Sequence, residues 1–371
     1  MYKNEIYGLR IKIKNSEIPL VFDAFHGFMI SEVLHYGMYI AELNLSPLLF
    51  VKANFETGEK LTVIIDFYSP KYKRRGAKDQ TDIIESYTFN FTIFDYKMSD
   101  NSVKIVLVPS FYEDFVVKLK NRVFNGSVKD IVQSVISPYS FTEEMEGTGV
   151  LKKRFYQINE SDFSFIRNIS NYAKGRNPNF LFFINKENKV FFESYDFLKN
   201  KKETWEMEDA MVSDKLVSNY SFAFQSLGGA GIKGRYFDWE TGTFKEISFI
   251  PDTKVLTEHT FDNSMYLFLG NVSNSDDKTM YNNYVENYSF RKNTFKLFVD
   301  FKCVSSFVLF DKLTVGETLR FNFVQPGGKA DYLSGKYFIY KAEHIFHGEG
   351  LTSSITLATD GYMVDGKYRS R

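Results

Sequence analysis

The chain has 371 residues, more than one ordinary core accommodates, so two to four domains are expected. Its 46 basic and 46 acidic side chains cancel, which argues against a general nucleic-acid binder while leaving room for a locally charged channel. A single cysteine, Cys303, excludes an intrachain disulfide, and no apolar run approaches the roughly 18 residues of a membrane span.

From the N-terminus, MYKNEIYGLRIKIK lacks the apolar core of a signal peptide, so an exported or membrane-inserted protein is not expected, and the lone thiol suits a reducing cytoplasm. Leu9, Ile11 and Ile13 alternate with basic residues, the mark of a half-buried strand. Met38–Leu45 also reads as a strand. The same alternation recurs at Leu61, Val63, Ile65 and Phe67, at Tyr87, Phe89, Phe91 and Ile93, and at Val103, Ile105 and Leu107. Residues 1–109 therefore form a first all-β domain. Between two of its strands lies a long loop, 69–82, with a basic knot of Lys71, Lys73, Arg74, Arg75 and Lys78. Its plainer reading is a solvated loop; its functional reading is contact with a partner or with nucleic acid in a channel.

Residues 110–200 read as an α+β domain. Ser127 and Asp130 are spaced as a capping-box variant, and Val128, Ile131, Val132, Val135 and Ile136 make one helical face closed by Pro138. A second helix opens at Ser161, whose hydroxyl caps the first turn, with Asp162 placed to favour the helix dipole. Phe163, Ile166, Ile169 and Ala173 form its stripe, widened by Phe165 and Tyr172, and Gly175 stops it. Phe180–Ile184 and Lys189–Ser194 then make a hairpin.

Lys199 to Glu203 is a linker candidate. A second β-domain is built from 201–234 and 287–371, interrupted by a polar, irregular insertion at 235–286. Gly228, Gly229 and Gly231 imitate a phosphate loop, but the Gly-Lys-Ser/Thr ending is missing and a turn is the better reading. The chain closes with two strands around His347 to Gly350.

Two stretches together resemble a known family. Gln157, Glu160, Ser161, Asp162, Phe163, Phe165, Ile166 and Arg167, a short helix, Gly175 and an aromatic hairpin are similar to the pattern of contractile-tail baseplate hubs. These are phage tail protein D, the T-even and Mu-type hubs and the N-terminal part of type VI VgrG spikes. Gly335, Tyr337, His344 and Phe346, followed by Thr352, Ile355 and Leu357, resemble the strands that close a hub's second barrel. The resemblance implies a β-rich α+β fold with two barrel-like tube domains. It also implies a homotrimer whose pseudo-six-fold ring seats a six-fold tail tube on a three-fold spike and leaves a channel for genome or effector. Expected partners are further copies of the chain, the central spike, the tube or tube initiator, baseplate wedge proteins and transiently DNA. The expected location is the virion tail baseplate, assembled in the host cytoplasm.

The residues give no competing chemistry. His344 and His347 fall on opposite faces of a strand, and neither Cys nor carboxylate completes a zinc set, so no metal or cofactor is expected. Gly-x-Ser-x-Gly and His-Glu-x-x-His are missing, and Cys303 reads as a buried thiol, so an enzyme is not expected. The alternatives are a tail-tip glycan-binding or receptor-recognition protein using 39 Phe and 24 Tyr, weakened by only two Trp, Trp205 and Trp239, and a cell-wall hydrolase.

Overall fold

A computed structural model of the chain describes residues 2–3, 7–14, 16–20, 22–68, 83–148, 153–173, 180–194, 201, 205–208, 217–224, 232–238, 240–249, 265–272, 278–279, 281–285, 297–305, 307–322, 334–348, 350–359, 362–364 and 367–369. Hydrogen bonds join seventeen of its strands into one network, which comprises two β-blocks and the strands Thr142–Met145, Phe180–Ile184 and Lys189–Ser194.

The first block has the spatial order Tyr7–Ile13, Lys60–Tyr68, Ile83–Met98, Val103–Pro109, Met38–Leu45, Phe25–Val33, all neighbours antiparallel. The alternation seen in the sequence is what fills its core: Leu9, Ile11, Leu61, Val63, Ile65, Phe91, Ile105 and Leu107 are all buried. The short helix Pro47–Ala53, with Pro at its first position and Ser46 accepting from the Leu49 amide, covers one end.

The second block has the order Thr318–Asn322, Gly335–His347, Gly350–Thr359, Leu297–Val304, Val217–Phe224, again antiparallel. Trp205–Glu208 adds to it as a parallel edge strand. The two blocks are built alike. Strand for strand, the order Phe25–Val33, Met38–Leu45, Val103–Pro109, Ile83–Met98, Lys60–Tyr68 repeats as Val217–Phe224, Leu297–Val304, Gly350–Thr359, Gly335–His347, Thr318–Asn322. Each has a helix at the same crossover, Pro47–Ala53 in one and Phe307–Lys312 in the other. Local details repeat as well. Ile93 donates its amide to Glu59 O at 2.9 Å, and Ile339 donates to Glu317 O at 3.0 Å. Bulges follow at Phe94 and Tyr340. Gly58 and Gly316 both take positive φ, 86° and 100°, in the turn before these strands. The tetrapeptides Gly58-Glu-Lys-Leu61 and Gly316-Glu-Thr-Leu319 carry the correspondence in the sequence itself.

The blocks share a strand. One edge of Gly335–His347 pairs with Gly350–Thr359 of its own block, while the other pairs through Gly335–Phe338 with Thr318–Asn322 of that block and through Lys341–Phe346 with Phe25–Val33 of the first. Phe310, Phe346 and Leu351, which lie in the segment assigned by sequence to the second β-domain, therefore pack into the first core. The boundary is crossed because one strand is long enough, at 13 residues, to serve two sheets.

Between the blocks in sequence, Val128–Ile136 and Asp162–Ile169 pack with the hairpin Phe180–Ile184/Lys189–Ser194 around Phe115, Val132, Val135 and Ile166. Ser127 and Asp130 form the reciprocal capping box, and Ser161 caps the second helix. The two-stranded ribbon Lys120–Gly126/Lys153–Glu160 flanks them. The expectation of an irregular insertion at 235–286 is corrected. Thr243–Phe249, Ile232–Asp238 and Met265–Val272 form a three-stranded sheet, with Tyr236 and Tyr281 buried beside it. The strand Met265–Val272, MYLFLGNV, is mostly apolar, and the polar stretches around it hide the sheet.

Candidate functional site

The motif around Ser161 builds a buried ionic centre rather than a surface. Asp162, expected only as a dipole partner, is fully buried. Its carboxylate accepts from Lys120 Nζ at 2.6 Å, Tyr139 Oη at 2.8 Å and Gln157 Nε2 at 2.9 Å, and pairs with Arg122 Nη2. Gln157 in turn accepts from Arg122 Nε at 2.8 Å and donates to Glu160 O at 2.8 Å. Burial, then the hydrogen bond to the Asp162 carboxylate, raises the Tyr139 hydroxyl above its ordinary value and keeps it protonated. The ribbon is thereby locked to the N-terminus of the helix. Glu160 pairs with Asn168. Phe163 is half-buried between Phe115 and Phe182, Phe165 stacks on Phe124, Ile166 is in the core, and Arg167 lies 5.5 Å above the Phe163 ring.

The second motif sits where the two blocks and the α+β unit meet. Gly335 and Tyr337 pair with Phe321 and Leu319. His344 is fully buried; its Nε2 lies 2.9 Å from Leu313 O and its Nδ1 2.7 Å from Ser353 Oγ. The carbonyl can only accept, so Nε2 carries the proton and Nδ1 accepts from the hydroxyl. Burial, aided by the Lys186 charge, pushes His344 well below the usual histidine range. Beside it, buried Glu32 accepts from the Lys186 amide at 2.7 Å and Thr314 Oγ1 at 2.8 Å, and lies 3.6 Å from Lys186 Nζ. Phe310 closes the joint, 4.8 Å from the His344 ring and 4.9 Å from Lys186 Nζ. Phe346 packs against Tyr7 in the first core.

Lys201, in the stretch read as a linker, is pinned instead. It pairs with Glu144 and lies 2.9 Å from Glu193. Burial pushes Glu193 up to about 8 despite the Lys201 charge. Burial likewise pushes the Cys303 thiol up to about 12, which makes it inert at neutral pH.

Several large apolar side chains are exposed among the described residues, and two groups of them lie on strands. On the ribbon, Val123 faces Tyr156 across the strands, with Ile158 beyond. At the far end of Ile83–Met98, Phe94, Tyr96 and Met98 are 51%, 41% and 51% exposed. Among the described residues no cluster of His, Cys, Asp and Glu could hold a metal, and no helix is long and apolar enough to cross a membrane. Gly175, the Gly228–Gly231 turn and the basic knot Lys71, Lys73, Arg74, Arg75 and Lys78 lie outside the described residues. The side chains of Trp205 and Trp239 do too. Sequence reasoning missed Lys120, Arg122, Tyr139 and Glu32, whose partners are remote in the chain. It also missed the Gly-Glu-x-Leu repeat, which was there to be found.

No protein-family profile and no curated protein matches the chain. Its fold is that of phage tail proteins. It is similar to the tail protein from Neisseria meningitidis MC58, with TM-score 0.59 and 10% identity over 95% of this chain and 97% of that one. It is also similar to the 43 kDa tail protein of prophage MuSo2 from Shewanella oneidensis, with TM-score 0.56 and 10% identity over 95% and 98%. A chain of the Francisella PdpA–VgrG complex matches with TM-score 0.50 and 11% identity, over 98% of this chain and 60% of that one. The expected β-rich α+β fold, drawn from two short motifs, agrees with these likenesses.

Proposed function

We propose that this chain is a structural hub of a contractile phage tail or a related injection machine. Three copies form a pseudo-six-fold ring in the virion baseplate, between a three-fold spike and a six-fold tube. The duplicated β-block carries this reading. Three chains with two like-built blocks offer six near-equivalent positions, the number a six-fold tube needs, from a three-fold assembly. The shared strand Gly335–His347 and the buried Glu32–Lys186–Thr314–His344 joint hold the two blocks at one fixed angle, as a ring segment requires. The work is mechanical: the charged groups described are spent on holding elements together, and no residue is given a catalytic role. The spike, the tube and the wedge proteins are the partners, and the exposed ribbon carrying Val123, Tyr156 and Ile158 is available for one of them. Light scattering and negative-stain imaging of the purified protein test the proposal. Trimeric rings with a central hole are expected; a stable monomer at micromolar concentration overturns it.

A further inference from the structure

The chain contains one complete junction between blocks, and its duplication says what the next junction must be. Inside the chain, the edge of Phe25–Val33 pairs with Gly335–His347 just beyond the Tyr340 bulge, in the register Glu32↔Ala342, Ser31↔Glu343, Ile30↔His344. Each partner has a counterpart in the other block. Ile93 stands where Ile339 does, so Tyr96, Lys97 and Met98 correspond to Ala342, Glu343 and His344. Ile30 pairs with Ala41 as Phe222 pairs with Val299, so Glu32, Ser31 and Ile30 correspond to Phe224, Ala223 and Phe222. Among the described residues neither counterpart is used within the chain. Beyond Ile93, the strand Ile83–Met98 pairs only with Val103–Pro109, and Val217–Phe224 pairs only with Leu297–Val304, among the described residues. The stub from Phe94 to Met98 thus has one edge without a strand partner among the described residues, and it carries exposed apolar side chains.

We propose that Tyr96–Met98 of one copy pairs antiparallel with Phe222–Phe224 of a second copy, in the register Tyr96↔Phe224, Lys97↔Ala223, Met98↔Phe222. The interchain junction then repeats the intrachain one. The pairing is heterologous, each chain offering one edge of each kind, and with a rotation of one third of a turn per copy, as the ring reading requires, its repetition closes after three chains. The inference rests on the ring reading and adds to it the contact strands and their register.

Disulfide trapping in the full chain tests it. In a Cys303→Ala background, Tyr96→Cys with Phe224→Cys, and separately Met98→Cys with Phe222→Cys, place Cα atoms at antiparallel-pair separation, within disulfide reach. Oxidation should give linked dimers and trimers on denaturing gels, ending at three. The register-shifted pair Tyr96→Cys with Phe222→Cys should give at least tenfold less. Met98→Asp, at a half-exposed position, should convert trimers to monomers at micromolar concentration without changing the circular dichroism spectrum. Trimers by light scattering that neither crosslink at these positions nor respond to Met98→Asp overturn this inference and leave the ring reading standing. A monomeric parent overturns both.

Discussion

Replacing Asp162 by Ala should unlock the ribbon from its helix. The carboxylate is fully buried, and its two cationic partners, Lys120 and Arg122, are 22% and 30% exposed. Breaking a buried pair by removing one partner costs about 3–5 kcal/mol. The other donors limit the loss. Gln157 keeps Arg122 and the Glu160 carbonyl, and Tyr139 Oη can turn to Asp114 O, 3.0 Å away. Lys120 and Arg122 can also swing partly into water. The net effect is therefore placed near the lower bound, about 3 kcal/mol, or roughly a hundredfold in an opening equilibrium. Hydrogen exchange of peptides covering Lys153–Glu160 and Asp162–Ile169 is the assay, because it reads local opening without assuming two-state unfolding of the whole chain. Replacing Lys120, Arg122 and Asp162 together by Met, Met and Leu should restore most of the protection, since an apolar set leaves no buried charge unpaired. If Asp162→Ala changes exchange in these segments by less than threefold, the centre does not hold the ribbon and the reasoning fails.

Gly316→Ala should destabilise far more than Gly58→Ala. Both residues have positive φ, but a Cβ at Gly316 would lie 2.5 Å from Phe183 Cζ, whereas one at Gly58 meets nothing within 4 Å. Thermal melts should show about 1–2 kcal/mol for Gly58→Ala and a further ~1–3 kcal/mol for Gly316→Ala; equal effects would contradict the packing described. Glu193 has a folded pKa of about 8, above its ordinary 4.5, so the folded state holds the proton longer and stability falls as pH rises through that window. Glu193→Gln should therefore raise the melting temperature more at pH 8 than at pH 5, and an opposite trend would refute the assignment. His344 shifts the other way. As pH drops below 6.5 the unfolded chain takes up the proton first, so the stability tied to the neutral ring is lost on acidification. His344→Leu, which has no donor, should be less stable by about 2 kcal/mol at pH 7.5, through the unmet Leu313 carbonyl, with a shallower acid-side decline in melting temperature.

What the sequence reveals is what neighbours along the chain decide. Strand alternation is legible because side-chain period and burial are local facts, as at Leu61, Val63 and Ile65. The caps at Ser127 and Ser161 are legible because a cap needs only its own helix turn. The role of Asp162 is not, because its cations stand about 40 residues earlier and reach it only once the ribbon has folded back. Phe310 and Phe346 are illegible for the same reason: their alternation shows that they are buried but not in which core. The insertion sheet escapes because Ile232–Asp238 does not alternate cleanly and pairs with Met265–Val272 in parallel, a long-range arrangement with weak local marking. Gly58 and Gly316 form the intermediate case. Their shared tetrapeptide is local, yet it becomes a signal only when two distant parts of the chain are laid side by side.

On the proposed ring, the two kinds of junction differ in chemistry in a way their histories require. Inside the chain, the equivalent positions are Glu32, His344 and Thr314, a polar set whose hydrogen bonds are all made as one chain folds. Between chains the counterparts are Phe224, Met98 and Glu56. A polar set exposed on a finished subunit would be hydrated, and stripping that water at association would consume much of the binding energy. Met98, half-exposed on the stub, reverses this balance at its position, because its transfer out of water drives the contact. The corresponding hazard is indiscriminate strand pairing by the uncovered chain. Here the exposed stub is short, running from Phe94 to Met98, and Asp95 and Lys97 interrupt its apolar residues. The interruptions keep the continuous apolar run short, which limits indiscriminate strand pairing.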